Sequence, residues 1–180
     1  GAIIDRYPDA LVGDAMISAD GGRASTTLPT ISVGSRGLTS LRFSLRTAGK
    51  DMHSGRYGGS VRNANHELAR LVASLHDDDG RIIVPGFMEA MAPITVREAE
   101  DAAALPVDEA EFYAGVGAAP YGDARFSIRE RITLLPTIEV NGMWGGYIGA
   151  GSKTVLPCEA HAKLTMRLGP DMDPARAQAL

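Results

Sequence analysis

The sequence is poor in the features that mark several classes of protein. Among its 180 residues there is one cysteine, Cys158, so the chain can form neither an internal disulfide nor a cluster of thiolate metal ligands. No apolar run approaches the roughly 18 residues that a membrane-spanning helix requires, and we expect no membrane contact. The formal net charge is -4 and no run of lysine or arginine occurs, which argues against a nucleic-acid partner. The N-terminal stretch lacks the charged and apolar regions of a signal peptide, so we expect a cytoplasmic protein.

The chain also lacks the local motifs that identify a complete active site. It contains no His-Glu-x-x-His zinc motif, no serine turn of the α/β-hydrolase type and no phosphate-binding glycine loop. A hydrolytic zinc site needs three protein ligands and an open position. The histidines at positions 66, 76 and 161 are explained by a helix face, a helix end and a strand, so the local motifs do not supply such a ligand set.

The most distinctive stretch is rich in glycine and carries a single histidine, His53. Residues 49–60 read GKDMHSGRYGGS, between a strand-like and a helix-like run. Glycine is used where φ must be positive or where another chain or a ligand approaches closely, so Gly55, Gly58 and Gly59 indicate a tight, shaped turn. The residue types alone leave two interpretations open: a solvated loop, or a turn that presents His53 for function.

Hydrophobic periodicity predicts a mixture of strands and helices. Residues 38–47 alternate apolar and polar side chains, which is typical of a strand with one buried face. Apolar residues at helical spacing predict a helix over 63–76, and a capping-box pattern at Thr95 predicts a helix through Leu105. Further helices are predicted to start near Asp108, after Pro106, and to cover roughly 127–135. The other predicted elements are strands over 10–19 (ending before Asp20), 30–33, 137–140 (followed by a turn at Asn141 and Gly142) and 159–168, and a helix start at 173–174. This order predicts an α+β fold, an antiparallel sheet with helices on one face plus a helical insert.

Several segments, taken together, resemble the M20 family of zinc metallopeptidases. Residues 51–61 (DMHSGRYGGSV) look like the D-L-H-S-G-x-Y-G-G-x-V signature of its dipeptidase branch, which includes the carnosinases. Other similar segments follow in the family's order: ISAD at 17–20, SRG at 35–37, GRIIVPG at 80–86, GAGSKTVLP at 149–157 and MRLGPDM at 166–172. The departures are small, with Met52 in place of leucine and Cys158 where a polar residue is common.

The resemblance implies a domain organisation. Residues 1–30 correspond to the tail of a catalytic domain, 31–170 to a ferredoxin-like lid or dimerisation domain, and 171–180 to the start of a helix that returns to the catalytic domain. A long insert at about 77–136 is typical of the dipeptidase branch. The family's first His-x-Asp segment, its Glu-Glu pair and its last metal-binding histidine have no counterpart in this sequence. We therefore expect the chain by itself to be inactive.

The roles of single residues also follow from the resemblance. The full enzyme would use two zinc ions to activate the water that attacks a dipeptide carbonyl, with Asp20 as a ligand of one ion. His53 corresponds to a lid histidine that enters the partner subunit's site and stabilises the oxyanion. Thr154 and Arg167 correspond to groups that bind the terminal carboxylate of the substrate. The resemblance further implies a homodimer formed through the lid domain.

Two other interpretations stay open. The chain could be a free-standing α+β dimerisation or binding module, and a compact N-terminal segment packed on the sheet would favour that reading. It could also be the lid of a family member that removes the acyl group from N-acyl amino acids, although the long insert argues against this.

Overall fold

The structure, a computed structural model, describes residues 2–15, 27 and 31–180. The chain divides into two compact units, Gly1–Gly34 and Ser35–Leu180. The described part of the first unit contains helix α1 (Ala2–Arg6) and a 3-10 helix (Pro8–Leu11). The second unit contains the sheet and all of the other elements described below.

Two predicted N-terminal strands are wrong where they can be compared with the structure. Residues 8–11 form the 3-10 helix, because Pro8 at its first position fixes the backbone for a helical turn, and residues 12–15 belong to no strand. The remainder of that prediction, including Asp20, lies outside the described residues. Residues 31–33 also form no strand; Ile31 and Val33 are 87% and 94% exposed, so burial gives them no reason to pair.

An antiparallel sheet of three strands forms the centre of the second unit. Its strands are β1 (Gly37–Arg46), β3 (Thr137–Gly145) and β5 (Glu159–Leu168), in the order β1-β5-β3. The short strands β2 (Met52–His53) and β4 (Val155–Leu156) pair separately as an antiparallel ribbon. Strand β5 pairs with a neighbour along each of its edges. Successive side chains of β5 point alternately to the buried face and to the outer face of the sheet.

Helix α3 (Ala64–Ala73) packs on one face of this sheet. It approaches β5 closely because Ala160 and Ala162, both 0% exposed, leave room for the helix. Leu68 of α3 is 1% exposed in the same cluster. The helix is shorter than predicted, since Asn63 caps its start and the chain leaves the helix at Ser74.

Helix α7 (Pro174–Ala179) packs on the same face of the sheet. Its Ala177 is buried in a second cluster with Met166 and Leu168, and the amide nitrogen of Gln178 donates to Thr39 Oγ1 at 2.6 Å. Two helices on one face of an antiparallel sheet confirm the predicted α+β class.

The helical insert lies between α3 and β3. It consists of a 3-10 helix (Met88–Ala90) and helices α4 (Val96–Ala103), α5 (Glu109–Val116) and α6 (Ile128–Thr133). The capping box predicted at Thr95 is confirmed, and the helices predicted near Asp108 and Ser127 are found. Asp108 caps α5, and Ser127 forms a second reciprocal capping box with Glu130, two caps that were not predicted. Within the described residues, no helix has both the length and the apolar composition that a membrane span requires.

The prediction that a strand ends at Val140 is wrong, because β3 is longer. We expected a turn at Asn141 and Gly142, but the strand continues to Gly145 through a register shift between Val140 and Gly142. A bulge accommodates one extra residue in β3. The parts of β3 before and after the bulge therefore both pair with β5. As a result, Gly142 lies opposite Lys163 and Trp144 lies opposite His161.

Truncation of Leu68 tests the packing of α3 on the alanines of β5. We expect Leu68→Ala to lower the free energy of unfolding by about 2–5 kcal/mol, because a cavity would replace a fully buried side chain. Leu38→Ala is the matched control, since Leu38 is 56% exposed, and should cost about 0.5 kcal/mol or less. Urea unfolding of the chain measures both; equal effects would contradict this packing.

Candidate functional site

The ribbon of β2 and β4 brings together two candidate residues that are far apart in the sequence. Met52 pairs with Leu156 and His53 with Val155, and the Ser54 amide donates to the Thr154 carbonyl at 2.9 Å. Leu156 is 4% exposed and therefore anchors the ribbon in the protein. His53 and Thr154 become neighbours on the surface as a result of this pairing.

The hydrogen bonds of His53 define which ring nitrogen carries the proton. The Gly55 amide donates to His53 Nδ1 at 3.1 Å. A neutral imidazole that accepts at Nδ1 carries its proton at Nε2. His53 Nε2 lies 3.1 Å from Thr154 Oγ1, and both side chains are exposed. The imidazole N–H thus donates to the threonine oxygen, and the threonine hydroxyl keeps its own hydrogen for another acceptor.

The backbone after His53 requires glycine at two positions, Gly58 and Gly59. Residues 54–57 form a single helical turn, α2 (Ser54–Tyr57), capped by His53 itself. The Gly58 amide donates to the Ser54 carbonyl at 2.8 Å, and a Cβ at Gly58 would collide with that same oxygen. Gly59 has a φ of 80°, which a residue with a side chain rarely adopts. The sequence predicted a tight turn here, but the helical turn and its histidine cap were not predicted.

Asp51 is a residue to which the sequence analysis gave no role. Its Oδ1 accepts from the Cys158 amide at 2.9 Å, which joins the residue before β2 to the residue before β5. This bond lowers the pKa of the Asp51 carboxyl below its usual range. The neighbouring carboxylate and desolvation raise the pKa of the Cys158 thiol, with desolvation the larger cause. Asp51 therefore holds the ribbon in place on the end of β5.

Arg167 lies at the opposite end of β5 from the ribbon. It is exposed on the outer face of the sheet, with Leu38 and Thr137 as its neighbours across the strands. It is eight residue steps along β5 from Glu159, a distance of about 26 Å at about 3.3 Å per step. Within one chain, the structure therefore brings His53 and Thr154 together but keeps Arg167 apart from them.

Arg167 has a second arginine beside it. Arg36 Nη1 donates to the Leu135 carbonyl at 3.1 Å, and its pKa is lowered by burial and, secondarily, by the charge of Arg167. The Glu139 carboxylate lies near enough to act on the pKa of Arg36 in the opposite direction, so two guanidinium groups and one carboxylate meet at this end of the sheet. The remaining positive charge suits an anion.

No metal centre is found in the part of the chain that the structure describes. The described residues contain no group of three or more histidine, cysteine, aspartate or glutamate side chains placed to hold a metal ion. The predicted ligand Asp20 lies outside them. The described residues by themselves therefore do not provide a set of ligands that would hold a metal ion.

Comparison with known families assigns the fold. The peptidase dimerisation domain of the M20 family matches residues 33–180. The chain belongs to this family of M20 peptidase dimerisation domains. The match includes the ribbon, the sheet and the helical insert.

The chain is also similar to individual peptidases. It is 28% identical over 162 residues to a Cys-Gly metallodipeptidase of Candida albicans, which covers 89% of this chain and 33% of that protein. An M20 family metallo-carboxypeptidase from Sulfolobus solfataricus matches with a TM-score of 0.71 at 31% identity, over 97% of this chain and 46% of the other. Human carnosine dipeptidase 1 matches with a TM-score of 0.66 at 28% identity, over 80% of this chain and 31% of the other.

By name, the Candida relative is a metallodipeptidase and the Sulfolobus relative a metallo-carboxypeptidase, so both are metal-dependent peptidases. The chain spans about a third of the length of the Candida dipeptidase that it matches. The activity, substrate and partners of a whole enzyme are therefore matters for proposal.

Removal of the Asp51 carboxylate tests its role at the ribbon. We expect the Cys158 amide of Asp51→Ala to exchange with solvent roughly tenfold faster or more, since it loses a charged acceptor. The same bond should weaken as the pH falls through the lowered pKa of Asp51 in the folded chain. A carboxyl group whose pKa is lower in the folded than in the unfolded chain stabilises the fold fully above the unfolded pKa, and this contribution is lost as the pH falls through the folded pKa.

Asp51→Asn is the control for that experiment, because its amide oxygen can still accept the hydrogen bond. Its Cys158 amide should remain closer to the unmodified chain than that of Asp51→Ala. Indistinguishable exchange in all three proteins, measured by NMR, would rule out the role given to Asp51.

Proposed function

We propose that this domain is the lid of a zinc-dependent dipeptidase and that it completes the active site of a partner subunit. The similarity to metallodipeptidases supports the class of reaction. The observation that carries the proposal is the pairing of His53 with Thr154 on an exposed ribbon, which presents hydrogen-bond donors to an incoming molecule.

The geometry of His53 suits an oxyanion-binding role better than that of a general base. Its Nδ1 is occupied by the Gly55 amide, so Nε2 carries the hydrogen, and this N–H can exchange its bond to Thr154 Oγ1 for one to a substrate oxygen that develops negative charge. Positioning by a backbone amide also fixes the ring before the substrate binds, so little reorganisation is needed during the reaction. Thr154 adds a hydroxyl donor beside the imidazole, in keeping with contact to a substrate oxygen.

The proposed metal site lies mainly outside the described residues. Two zinc ions, one with Asp20 among its ligands, would supply an activated water and polarise the substrate carbonyl. The contribution of the described residues is to bind and orient the substrate and to stabilise charge on its oxygen.

The distance between the ribbon and Arg167 supports a site shared between subunits. A dipeptide is much shorter than the roughly 26 Å from one end of β5 to the other. His53 and Arg167 of the same chain therefore cannot contact one dipeptide together. We propose that His53 and Thr154 serve the partner's active site, while Arg167 binds the substrate carboxylate in the site of its own subunit.

The proposed homodimer forms through α3 and the outer edge of β3. Strand β3 pairs with β5 on one side, and its other edge has no strand partner among the described residues. Val140 and Met143 are 37% and 44% exposed on the helix-facing side of this edge. The Asn65 amide of α3 donates to the Gly145 carbonyl, so the helix and the edge form one continuous surface. Pairing with a second copy would satisfy the edge and cover the apolar side chains.

Replacement of His53 tests the oxyanion role in the full-length enzyme with zinc. We expect His53→Ala to lower kcat about 10²–10³-fold on a dipeptide, because a donor to the transition state is lost. His76→Ala is the control: His76 lies two residues beyond the C-cap of α3, in a bridge with Ile82, and the variant should stay within about twofold of wild type.

The substrates in that assay separate the related reactions. Dipeptides, longer peptides and N-acyl amino acids should be compared, and preferential cleavage of an N-acyl amino acid would identify a deacylase instead. Unchanged turnover of dipeptides by His53→Ala would remove the proposed role of this residue.

A charge on the β3 edge tests the proposed dimer. We expect Val140→Lys to shift the chain toward monomers in light scattering, because a solvated charge on an edge strand opposes pairing. Val116→Lys is the control, since Val116 is 70% exposed on α5, and it should leave the oligomeric state unchanged. A strictly monomeric unmodified chain at high concentration would contradict the dimer.

A further inference from the structure

The outer face of the sheet carries two positive charges directly opposite each other. Arg42 of β1 pairs with Lys163 of β5, and both side chains are exposed. Like charges in directly opposed positions destabilise a sheet. On the other side of Lys163 the opposing residue is Gly142, which provides no side chain to compensate the charge.

Both cations converge on one indole ring. The Arg42 Cζ lies 5.5 Å and the Lys163 Nζ 5.7 Å from the ring centroid of Trp144. Trp144 itself stacks on His161, with centroids 4.9 Å apart and an angle of 23° between the planes. The Ser44 hydroxyl lies 2.7 Å from His161 Nδ1, so the imidazole beneath the indole is held in place. The stacked rings form a supported platform next to the two charges.

Neither cation has a carboxylate partner within the described part of the chain, which distinguishes them from a nearby arginine. Arg46, on the same face of β1, forms an ion pair with Glu159 at 3.2 Å. Arg42 and Lys163 form no ion pair with any described residue and contact the indole instead. In a chain with a net charge of -4, this local excess of positive charge is not a consequence of overall composition.

We propose that Arg42, Lys163 and Trp144 form a binding site for a phosphate group, separate from the ribbon. Two adjacent cations match the double negative charge of a phosphate better than the single charge of a carboxylate. Arginine offers a planar fork to phosphate oxygens and lysine a point charge. The indole holds the two cations side by side, since both lie over its ring.

The single tryptophan of the chain gives a direct readout. The indole N–H signal of Trp144 in an NMR spectrum should shift on titration with inorganic phosphate at constant ionic strength, and the shift should saturate. Acetate at the same ionic strength should produce a much smaller shift. Titration with AMP separates two sources of the same chemistry: tighter binding than phosphate supports a nucleotide, and equal binding supports a phosphate group alone.

Substitutions identify the groups that bind. We expect Arg42→Gln and Lys163→Ala each to weaken phosphate binding about tenfold or more, because each removes a charged donor. Arg46→Ala is the matched control and should stay within about twofold, since the charge of Arg46 is already compensated by Glu159.

Several results would overturn the proposal. A shift that does not saturate, or an equal response to acetate, would show only general screening of charge. An effect of Arg46→Ala as large as that of Arg42→Gln would show that the face responds to overall charge and not to this site. Backbone amide signals of each variant, unchanged away from the substitution, exclude loss of folding as the cause.

Discussion

The position of strand β5 between β1 and β3 is the constraint on which the rest of the structure depends. Its inward residues pack against α3 and against Ala177 of α7, and its outward residues include Lys163 and Arg167. The chain enters β5 directly from β4, so the register of β5 also determines where Thr154 lies. Because the Asp51 carboxylate holds the amide of Cys158, the position of His53 is tied to the same strand.

This arrangement explains why one small domain can present different chemistry at its two ends. The ribbon end offers an imidazole N–H in a fixed tautomer and a threonine hydroxyl, both neutral donors. The other end offers Arg36 and Arg167, which are charged donors. Neutral donors suit an oxygen that becomes charged only in the transition state, whereas a guanidinium suits a carboxylate that is charged from the start. The two ends thus fit different parts of the proposed substrate.

The sequence predicted the elements whose causes are local. The capping box at Thr95 satisfies backbone groups within three residues and was found where it was predicted, and the helices predicted near Asp108 and Ser127 begin directly after those residues. Local information failed at β3, where Asn141 and Gly142 are common turn residues and only pairing with β5 keeps the strand extended. It failed also near Pro8, where apolar residues suggested a strand but the proline begins a helical turn.

The candidate site was predicted mainly through resemblance. The glycine pattern indicated a shaped turn around His53, but no local rule relates His53 to Thr154, since strand pairing brings them together across the whole insert. The bond between Asp51 and Cys158 spans a similar length of chain and had no signal in the sequence beyond the position of Asp51 in the motif. Contacts of this kind depend on the assembled sheet, and the site could only be located once the sheet was known.

The central claim, that His53 and Arg167 of one chain serve different active sites, is tested most directly with mixed dimers. Full-length His53→Ala and Arg167→Ala enzymes, each poorly active alone, are mixed and allowed to exchange subunits. In a mixed dimer one site would then receive both intact residues, so the mixture should recover about a quarter of wild-type activity, with half of the dimers mixed and one of two sites intact. If the mixture stays as inactive as its two components, His53 and Arg167 of one chain serve the same active site and the account is wrong.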